Sequence, residues 1–479
     1  MNYQESLDYI KSLVPTLERP SLSRVEQFFN ALGQPQSKLA CFHIGGTNGK
    51  GSVSTLLASM LETLGHRCGK FTGPHLLSFN ERFVVNGQAI SPEQFAQIAS
   101  DAKHLSDEFA LDHQDLGALT WFEFLTAMAI AYFAQEQARY SVFEVGMGGR
   151  FDATNILTNV LVTVLTNVDL DHMQFLGDTR EKIAFEKSGI LKEKVPVVTT
   201  CDGAALAVIA ARAKELQCPL YILSNFSGAH DLGDLFAKFE IQYLVDSPEN
   251  DRVRSFVKLL KNEFFIQGSA AFVSGLSGSY QLVNILTALV ALAASGVIDK
   301  RLDTSDERQA TIQALKIGLA KASWPGRFEI FENPKMILDG AHNPHGAQAL
   351  RASLLEKFGP VNFVFVLSCF ENKDAEELLH SLLSSGDTLF AFAPTSERKM
   401  HKAETLVQIA EKFGAHAYVV NNFAEALQRS QAVLANAADE HYAPYLIATG
   451  SFATVREATS CARQGNTEIE KCFRSGVIS

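Results

Sequence analysis

Short apolar runs alternate with stretches of helical period along almost the whole chain, the sequence form of parallel βαβ units. Leu39–Ile44 (LACFHI) reads as a buried strand. A glycine-rich turn follows it, then a helix pattern from about Lys50 to Leu64 that Gly65 stops. Tyr140–Val145 and Val160–Thr166 are further strands of the same kind, and Val195–Thr199 is another. Residues 225–275 show no clear period and read as a small irregular subdomain, and no repeat of solenoid length occurs. A second series starts after Trp324-Pro325-Gly326. Its strands are Met336–Leu338, Val361–Leu367, Thr388–Phe392, Ala417–Val420 and Tyr445–Ala448, with helical segments such as Asp374–Leu383 and Lys402–Phe413 between them.

Pro325-Gly326 suits neither a helix interior nor a central strand, so a domain boundary belongs close to it. The expectation is an α/β protein: a large N-terminal P-loop domain with a parallel sheet, residues 1–322, and a smaller Rossmann-like C-terminal α/β domain, 323–479. Ligands commonly bind in clefts between such domains.

Composition narrows the class. Of 479 residues, 47% are apolar and 20% charged, which excludes a largely disordered chain. The apolar stretches Thr126–Ala134 and Ile285–Ala294 are too short to span a bilayer, and the charged N-terminus has no apolar signal core. Membrane association and secretion are therefore not expected. The net charge is −11 with no basic run, so nucleic acid is an unsuitable partner and any anion must be held by local cations and backbone amides. Seven cysteines without a C-x-x-C pair point to reduced thiols in the cytoplasm rather than a zinc site or a disulfide framework. The 34 phenylalanines suggest no function.

The strongest local signal is Gly45-Gly46-Thr47-Asn48-Gly49-Lys50-Gly51-Ser52, between a strand and a helix. Consecutive glycines let backbone N–H groups converge on a phosphate, and the helix N-terminus adds partial positive charge. Lys50 can reach the outer phosphates and Ser52 can touch a magnesium ion. The common pattern GxxxxGK[ST] is not met: its first glycine would fall on Ile44, and Gly51 separates Lys50 from the hydroxyl. This is a variant P-loop.

Residues at the C-terminal ends of parallel strands share the crevice with such a loop. Glu144 ends YSVFEV, before Gly146-Met147-Gly148-Gly149-Arg150, and is either a metal ligand or an ion-pair partner for Arg150. Asp169, Asp171 and His172 follow the strand ending near Val168. Magnesium favours oxygen ligands, so His172 taken alone reads as a hydrogen-bonding or core residue. Lys187, late in a helical segment that begins near Asp178, reads as a solvated lysine complementing a helix C-terminus. In the second domain Asp339 and His342, in LDGAHNP, suit either a ribose or base contact or a turn with an N-cap. Arg327 suits bidentate phosphate binding or a tie between domains.

The segments HIGGTNGKGS (43–52), TGPHLLSFNERF (72–83), TWFEF (120–124), EVGMGGRFDATN (144–155), LDHMQFLGDTREKIAFEKSGI (170–190), WPGRFE (324–329) and DGAHNP (339–344) occur in order over most of residues 40–350. Together they resemble the folylpolyglutamate synthase / dihydrofolate synthase family, relatives of the Mur peptide ligases. The resemblance implies an ATP- and magnesium-dependent ligase in which an acceptor carboxylate attacks the γ-phosphate and the amine of L-glutamate displaces phosphate from the acyl phosphate. It makes Gly46, Thr47, Asn48, Gly49, Lys50, Gly51 and Ser52 the phosphate loop, and Ser52, Glu144 and His172 magnesium ligands. It also implies Lys187 as a carbamate-bearing lysine at a second magnesium. Asn284, Arg327, Asp339 and His342 match positions that hold the nucleotide. Arg82, Thr120, Phe122, Asp152 and Ala153 match the dihydropteroate pocket, where the Phe122 ring suits stacking on a pterin or a place in the core.

Two positions depart from the family. Gly73 stands where a serine hydroxyl usually helps ligate magnesium, and Tyr280 replaces a frequent histidine near the nucleotide. The resemblance implies addition of glutamate to dihydropteroate, with further addition to reduced folates, by a cytoplasmic monomer acting on small molecules. A family member redirected to another carboxylate acceptor is the alternative enzyme. A non-catalytic nucleotide-binding regulator is the alternative of another class, and Lys50, Glu144, His172 and Lys187 together argue against it. Lys50→Ala is expected to lower turnover by about 10² or more, as loss of one preorganised electrostatic contact does. A steady-state assay checks this, and an unchanged rate would refute the role given to the loop.

Overall fold

In the computed structural model the described residues are 1–14, 21–224, 240–243, 253–256, 258, 274–299, 302–396, 398–436 and 442–463. Most of the aperiodic stretch 225–275 therefore lies outside them. The chain forms two compact units, Met1–Gly275 with Leu282–Ala322, and Leu276–Gln281 with Ser323–Ser479. The short segment Leu276–Gln281 thus belongs with the second unit although it precedes Trp324-Pro325-Gly326 in sequence.

The first unit is built on β1 (Ala40–Gly45), β2 (Cys68–Phe71), β3 (Phe83–Val85), β4 (Gln88–Ala89), β5 (Tyr140–Glu144), β6 (Val160–Leu165), β7 (Val197–Thr199), β8 (Leu220–Ser224) and β9 (Glu240–Tyr243). Among the described residues these form one sheet in the order β4-β3-β2-β5-β1-β6-β7-β8-β9. From β2 to β8 the pairing is parallel, and β3, β4 and β9 add antiparallel edges. The central strands are buried on both faces, which is why they read as continuous apolar runs.

The helix after β1, Lys50–Thr63, returns the chain to β2, whereas β5 leads across β1 to β6. Connections therefore leave the middle of the sheet in both directions, and the carboxyl end of β1 is a topological switch point. Register places Ile44 beside Glu144 and Gly45 beside Leu165, so Glu144 and Thr166 flank the glycine loop. A phenylalanine-rich core lies under β2 and β5, where Phe71, Phe124, Phe133 and Phe143 are buried.

Strand β2, CGKF, escapes a periodicity reading for two reasons. A Cβ on Gly69 would come 2.6 Å from the Phe133 ring, so packing demands glycine in mid-strand. Lys70 is buried with its Nζ donating to Thr55 Oγ1 at 3.1 Å.

The second unit carries β10 (Glu329–Glu332), β11 (Lys335–Leu338), β12 (Asn362–Leu367), β13 (Thr388–Ala391), β14 (His416–Val419) and β15 (Tyr442–Thr449) in the order β10-β11-β15-β12-β13-β14. All pair in parallel except β10, which forms a hairpin with β11. A buried carboxylate pins its far side: Asp387 accepts from Arg351 Nη1 at 2.6 Å and from the backbone N–H groups of Phe363 and Ser384 at 2.8 Å. No helix among the described residues is long and apolar enough to cross a membrane. The described cysteines are buried and none is in a disulfide.

Candidate functional site

The glycine loop leaves β1 and is fastened to the segment after β6. Thr47 N–H donates to Asn167 O at 2.7 Å, Asn48 N–H to Asn167 Oδ1 at 2.9 Å, and Asp169 N–H to Thr47 Oγ1 at 3.0 Å. Gly46 takes φ +131°, and a Cβ there would lie 1.8 Å from Thr166 Oγ1, so only glycine fits. Gly49 takes φ +88° against Asn284, whose Oδ1 would lie 2.5 Å from an added Cβ. Asn284, assigned to nucleotide binding from sequence, thus touches the loop itself. Gly51 and the buried Ser52 lie in the first turn of helix Lys50–Thr63.

Two lysines meet at one carbonyl. Lys50 Nζ donates to Gly46 O and Thr47 O, both at 3.1 Å, and Lys187 Nζ donates to Gly46 O at 2.7 Å. Lys187 is not a solvated lysine: it is buried in helix Arg180–Ser188 and reaches back to the loop. Burial, reinforced by repulsion from Lys50, brings its pKa down to about 7, while Asp171 opposes the shift. The solvated reading of Lys187 failed because the local pattern does not show that this side chain packs back onto a loop 141 residues away.

Glu144 is buried at the end of β5, and its Oε2 accepts the Gly73 N–H at 3.2 Å. It does not pair with Arg150, whose Nη2 contacts Glu186 Oε1 at 2.7 Å. Arg82 occupies the space beside Gly73, with Nη1 2.5 Å from the place of a Cβ on that residue. Its Nε donates to His75 Nδ1 at 2.9 Å and its guanidinium lies over the Trp121 ring at 5.0 Å. Burial brings the Arg82 pKa down to about 10, with Glu144 opposing the shift. His172 has φ +52°, its backbone N–H donates to Asp171 Oδ1 at 2.8 Å, and its ring is partly exposed. Asp169 is committed to Arg180, at 3.0 Å.

No cluster of three or more His, Cys, Asp or Glu side chains suited to a metal exists among the described residues. Magnesium keeps several waters and takes phosphate oxygens, so one carboxylate with a hydroxyl fits an ion that arrives with a nucleotide. The buried Ser52 hydroxyl at the loop and the Glu144 carboxylate at the neighbouring strand end are such a donor set.

The residues matched to an acceptor pocket divide in two. Phe122 is partly exposed, 6.1 Å from the Trp121 ring centroid, and its ring would stand 2.6 Å from a Cβ on Gly146. Thr120 instead caps helix Trp121–Gln135, its N–H and Oγ1 both donating to Glu123 Oε2, at 2.7 and 2.8 Å. Asp152 is saturated. Its Oδ2 accepts from Gly146 N–H and Met147 N–H at 3.0 Å, and its Oδ1 from Thr154 N–H at 3.0 Å and Thr154 Oγ1 at 2.5 Å. A carboxylate offers about four acceptor directions, so Asp152 holds the 146–149 loop while Ala153 opens a buried 3-10 turn. Sequence reasoning missed His43, buried in β1 with Nε2 2.8 Å from Thr154 Oγ1, and Asn167. Asn167 follows a strand beside the loop, a position that could have singled it out.

In the second unit Asp339 also turns inward. Its Oδ2 accepts from Tyr280 Oη at 2.6 Å and Phe328 N–H at 2.9 Å, and its Oδ1 from Ala341 N–H at 2.9 Å. The Arg327 guanidinium lies over Phe452 at 4.9 Å, and His342 Nδ1 is 2.8 Å from Gly340 O.

A strand–glycine loop–helix at a sheet switch point, with two lysines on the loop and a buried carboxylate beside it, defines a P-loop phosphate-binding protein. Family models identify the rest: the Mur ligase middle domain matches residues 44–292, and the Mur ligase glutamate ligase domain matches residues 326–440. The chain belongs to the dihydrofolate synthase/folylpolyglutamate synthase family of Mur ligases. It is 35% identical over 385 residues to the dihydrofolate synthase/folylpolyglutamate synthase of Bacillus subtilis (strain 168), covering 79% of this chain and 82% of that one. Among solved structures it is similar to Mycobacterium tuberculosis folylpolyglutamate synthase complexed with ADP and AMPPCP (TM-score 0.78, 28% identity, 97% and 100% of the two chains covered). It is also similar to the bifunctional synthase of Yersinia pestis complexed with AMPPNP and Mn ion (TM-score 0.73, 27% identity, 96% and 98% covered).

Two measurements test this geometry. Asp152→Asn turns one acceptor oxygen into a donor that faces N–H groups, so the denaturation midpoint should fall by the equivalent of about 1–3 kcal/mol. An unchanged midpoint would show that the loop does not depend on this carboxylate. For Lys187, the unfolded amine keeps its proton up to about pH 10.4, whereas the folded one releases it near 7. Between those values the unfolded chain binds the extra proton. Stability relative to Lys187→Met should therefore rise with pH, by at most about 1.4 kcal/mol per pH unit, in urea titrations run in CO2-free buffer. Parallel curves for the two proteins would contradict the shift.

Proposed function

We propose that this chain is an ATP-dependent acid–amino-acid ligase that joins L-glutamate to dihydropteroate and adds further glutamates to reduced folates. The observation that carries the proposal is the convergence of Lys50 and Lys187 on the Gly46 carbonyl beside Glu144, in a chain whose second unit matches a glutamate ligase domain. An acceptor carboxylate attacks the γ-phosphorus of ATP, and ADP leaves with the bridging oxygen. The amine of glutamate then attacks the acyl carbon, phosphate departs, and the nitrogen gives up a proton to form the amide. Such phosphoryl transfer relies on positioning and charge neutralisation. The loop amides and Lys50 hold the phosphates, and Arg327 and His342 take the nucleotide.

Ser52, Glu144 and His172 would hold magnesium, which supplies neutralisation of the charge developing on the transferred phosphoryl group. Lys187 suits carbamate formation, because its depressed pKa leaves a large share of the amine neutral near pH 7. The neutral nitrogen adds to CO2 and releases one proton, and the resulting carboxylate relieves the repulsion with Lys50. In the acceptor pocket Phe122 offers a ring face for a pterin and Arg82 a cation, while Thr120, Asp152 and Ala153 shape its walls. Acidity and the lack of a basic run support small molecules rather than nucleic acid as partners, and we read the protein as a cytoplasmic monomer.

Mass spectrometry of products tests this reading, with ATP, magnesium and L-glutamate supplied alongside dihydropteroate or tetrahydrofolate separately. Dihydrofolate from the first acceptor and glutamate-extended folate from the second are expected. ATP binding without either product would overturn the assignment in favour of another carboxylate acceptor or a regulatory protein.

A further inference from the structure

The second unit contains a small hydrogen-bonded assembly whose centre is Asp339 rather than any residue free to meet a ligand. Three of the four acceptor directions of this buried carboxylate are filled by Tyr280 Oη, Phe328 N–H and Ala341 N–H. Phe328 has φ +49°, a left-handed conformation that a residue with a bulky side chain holds only when its surroundings enforce it. The bond from its N–H to Asp339 is such an enforcement. Arg327 is the preceding residue, so the direction of its side chain depends on that turn. Its guanidinium then lies over Phe452 and against the bare backbone of Gly340, where a Cβ would come 2.4 Å from Nη1.

Tyr280 supplies the side-chain donor that completes this arrangement, and its own position is fixed from below. Ser279 N–H and Ser279 Oγ lie 3.1 and 3.0 Å from Ser353 Oγ, on helix Pro344–Phe358. Gly278 takes φ +95°, where a Cβ would stand 3.0 Å from Tyr280 and 3.2 Å from Phe328. Burial and the neighbouring Asp339 push the phenol well above its usual range, so it stays protonated and donates at any physiological pH.

We propose that Tyr280 is a positioning residue for nucleotide recognition: by holding the Asp339 carboxylate it fixes the Phe328 turn, and with it the direction of Arg327, which the ATP-dependent reading assigns to nucleotide binding. The proposal rests on the reading of this chain as ATP-dependent. It assigns a role to a residue whose hydroxyl is spent on Asp339.

Isothermal titration calorimetry with MgATP, paired with steady-state kinetics, tests it on the wild-type protein, Tyr280→Phe and Tyr280→His. The phenylalanine variant keeps the ring and loses only the donor. It should bind MgATP about 10-fold more weakly, as loss of one hydrogen bond to a charged group does. KM for ATP should rise by a similar factor, with kcat and the KM values for the acceptor and glutamate within about twofold. The histidine variant, whose ring N–H can donate to Asp339, should recover most of the affinity. Unchanged MgATP affinity in Tyr280→Phe would overturn the proposal, as would a fall in kcat with KM for ATP unaltered, or equal weakening in the phenylalanine and histidine variants. Failure of the wild-type protein to bind MgATP would instead overturn the ATP-dependent reading itself.

Discussion

At Gly46 the backbone is pressed against Thr166, and its carbonyl oxygen receives the ammonium groups of both Lys50 and Lys187. The rest of the first unit's site follows from that crowding. Glycine is obligatory because a Cβ would collide with Thr166, and the loop stays where Asn167 and Asp169 hold it. Burial, with the Lys50 ammonium beside it, brings the Lys187 pKa down to about 7. The loop is thereby loaded with positive charge that a polyphosphate can neutralise, and it carries an amine whose protonation changes near neutrality.

Two buried carboxylates among the described residues organise turns. Asp152 ties down the loop after β5, and Asp339 ties down the turn that carries Arg327. Backbone N–H groups and one hydroxyl fill all four acceptor directions of Asp152 and three of those of Asp339, an arrangement that fixes neighbouring residues. Glu144 lies at the end of a central strand, where its Oε2 accepts the Gly73 N–H. Gly73 has consequences beyond a missing hydroxyl, since the vacated space is taken by the Arg82 guanidinium.

Much of this was legible beforehand because local rules are strong where strands are buried on both faces. The strands at β1, β5 and β6, the helix Lys50–Thr63 and the parallel strands of the second unit all lie within one to three residues of their periodicity readings. Strand β2 was not legible, because Gly69 and Lys70 disguise it. The hairpin strand β10 was equally hidden, since EIFE offers no long apolar run. At the site, the glycine loop and the strand-end position of Glu144 could be read directly. The pairing of Arg150 with Glu186 could not, because that partner is chosen in space, whereas the Thr120–Glu123 capping box is a local T-x-x-E pattern that the periodicity reading passed over.

The amino-acid sequence by itself determined the α/β class, the variant P-loop and the ordered motifs of the ligase family, because period, glycine spacing and motif order are properties of the linear chain. Only the tertiary structure decided that Lys187 is buried against the loop, that Asn284 lies beside Gly49, and that the Tyr280 hydroxyl is given to Asp339. The physical reason is that burial and hydrogen-bond saturation depend on which distant segments meet. Lys187 lies 141 residues from the carbonyl it contacts, and Tyr280 lies 59 residues from Asp339. No local pattern encodes a contact across such separations; packing alone brings those groups within 3 Å.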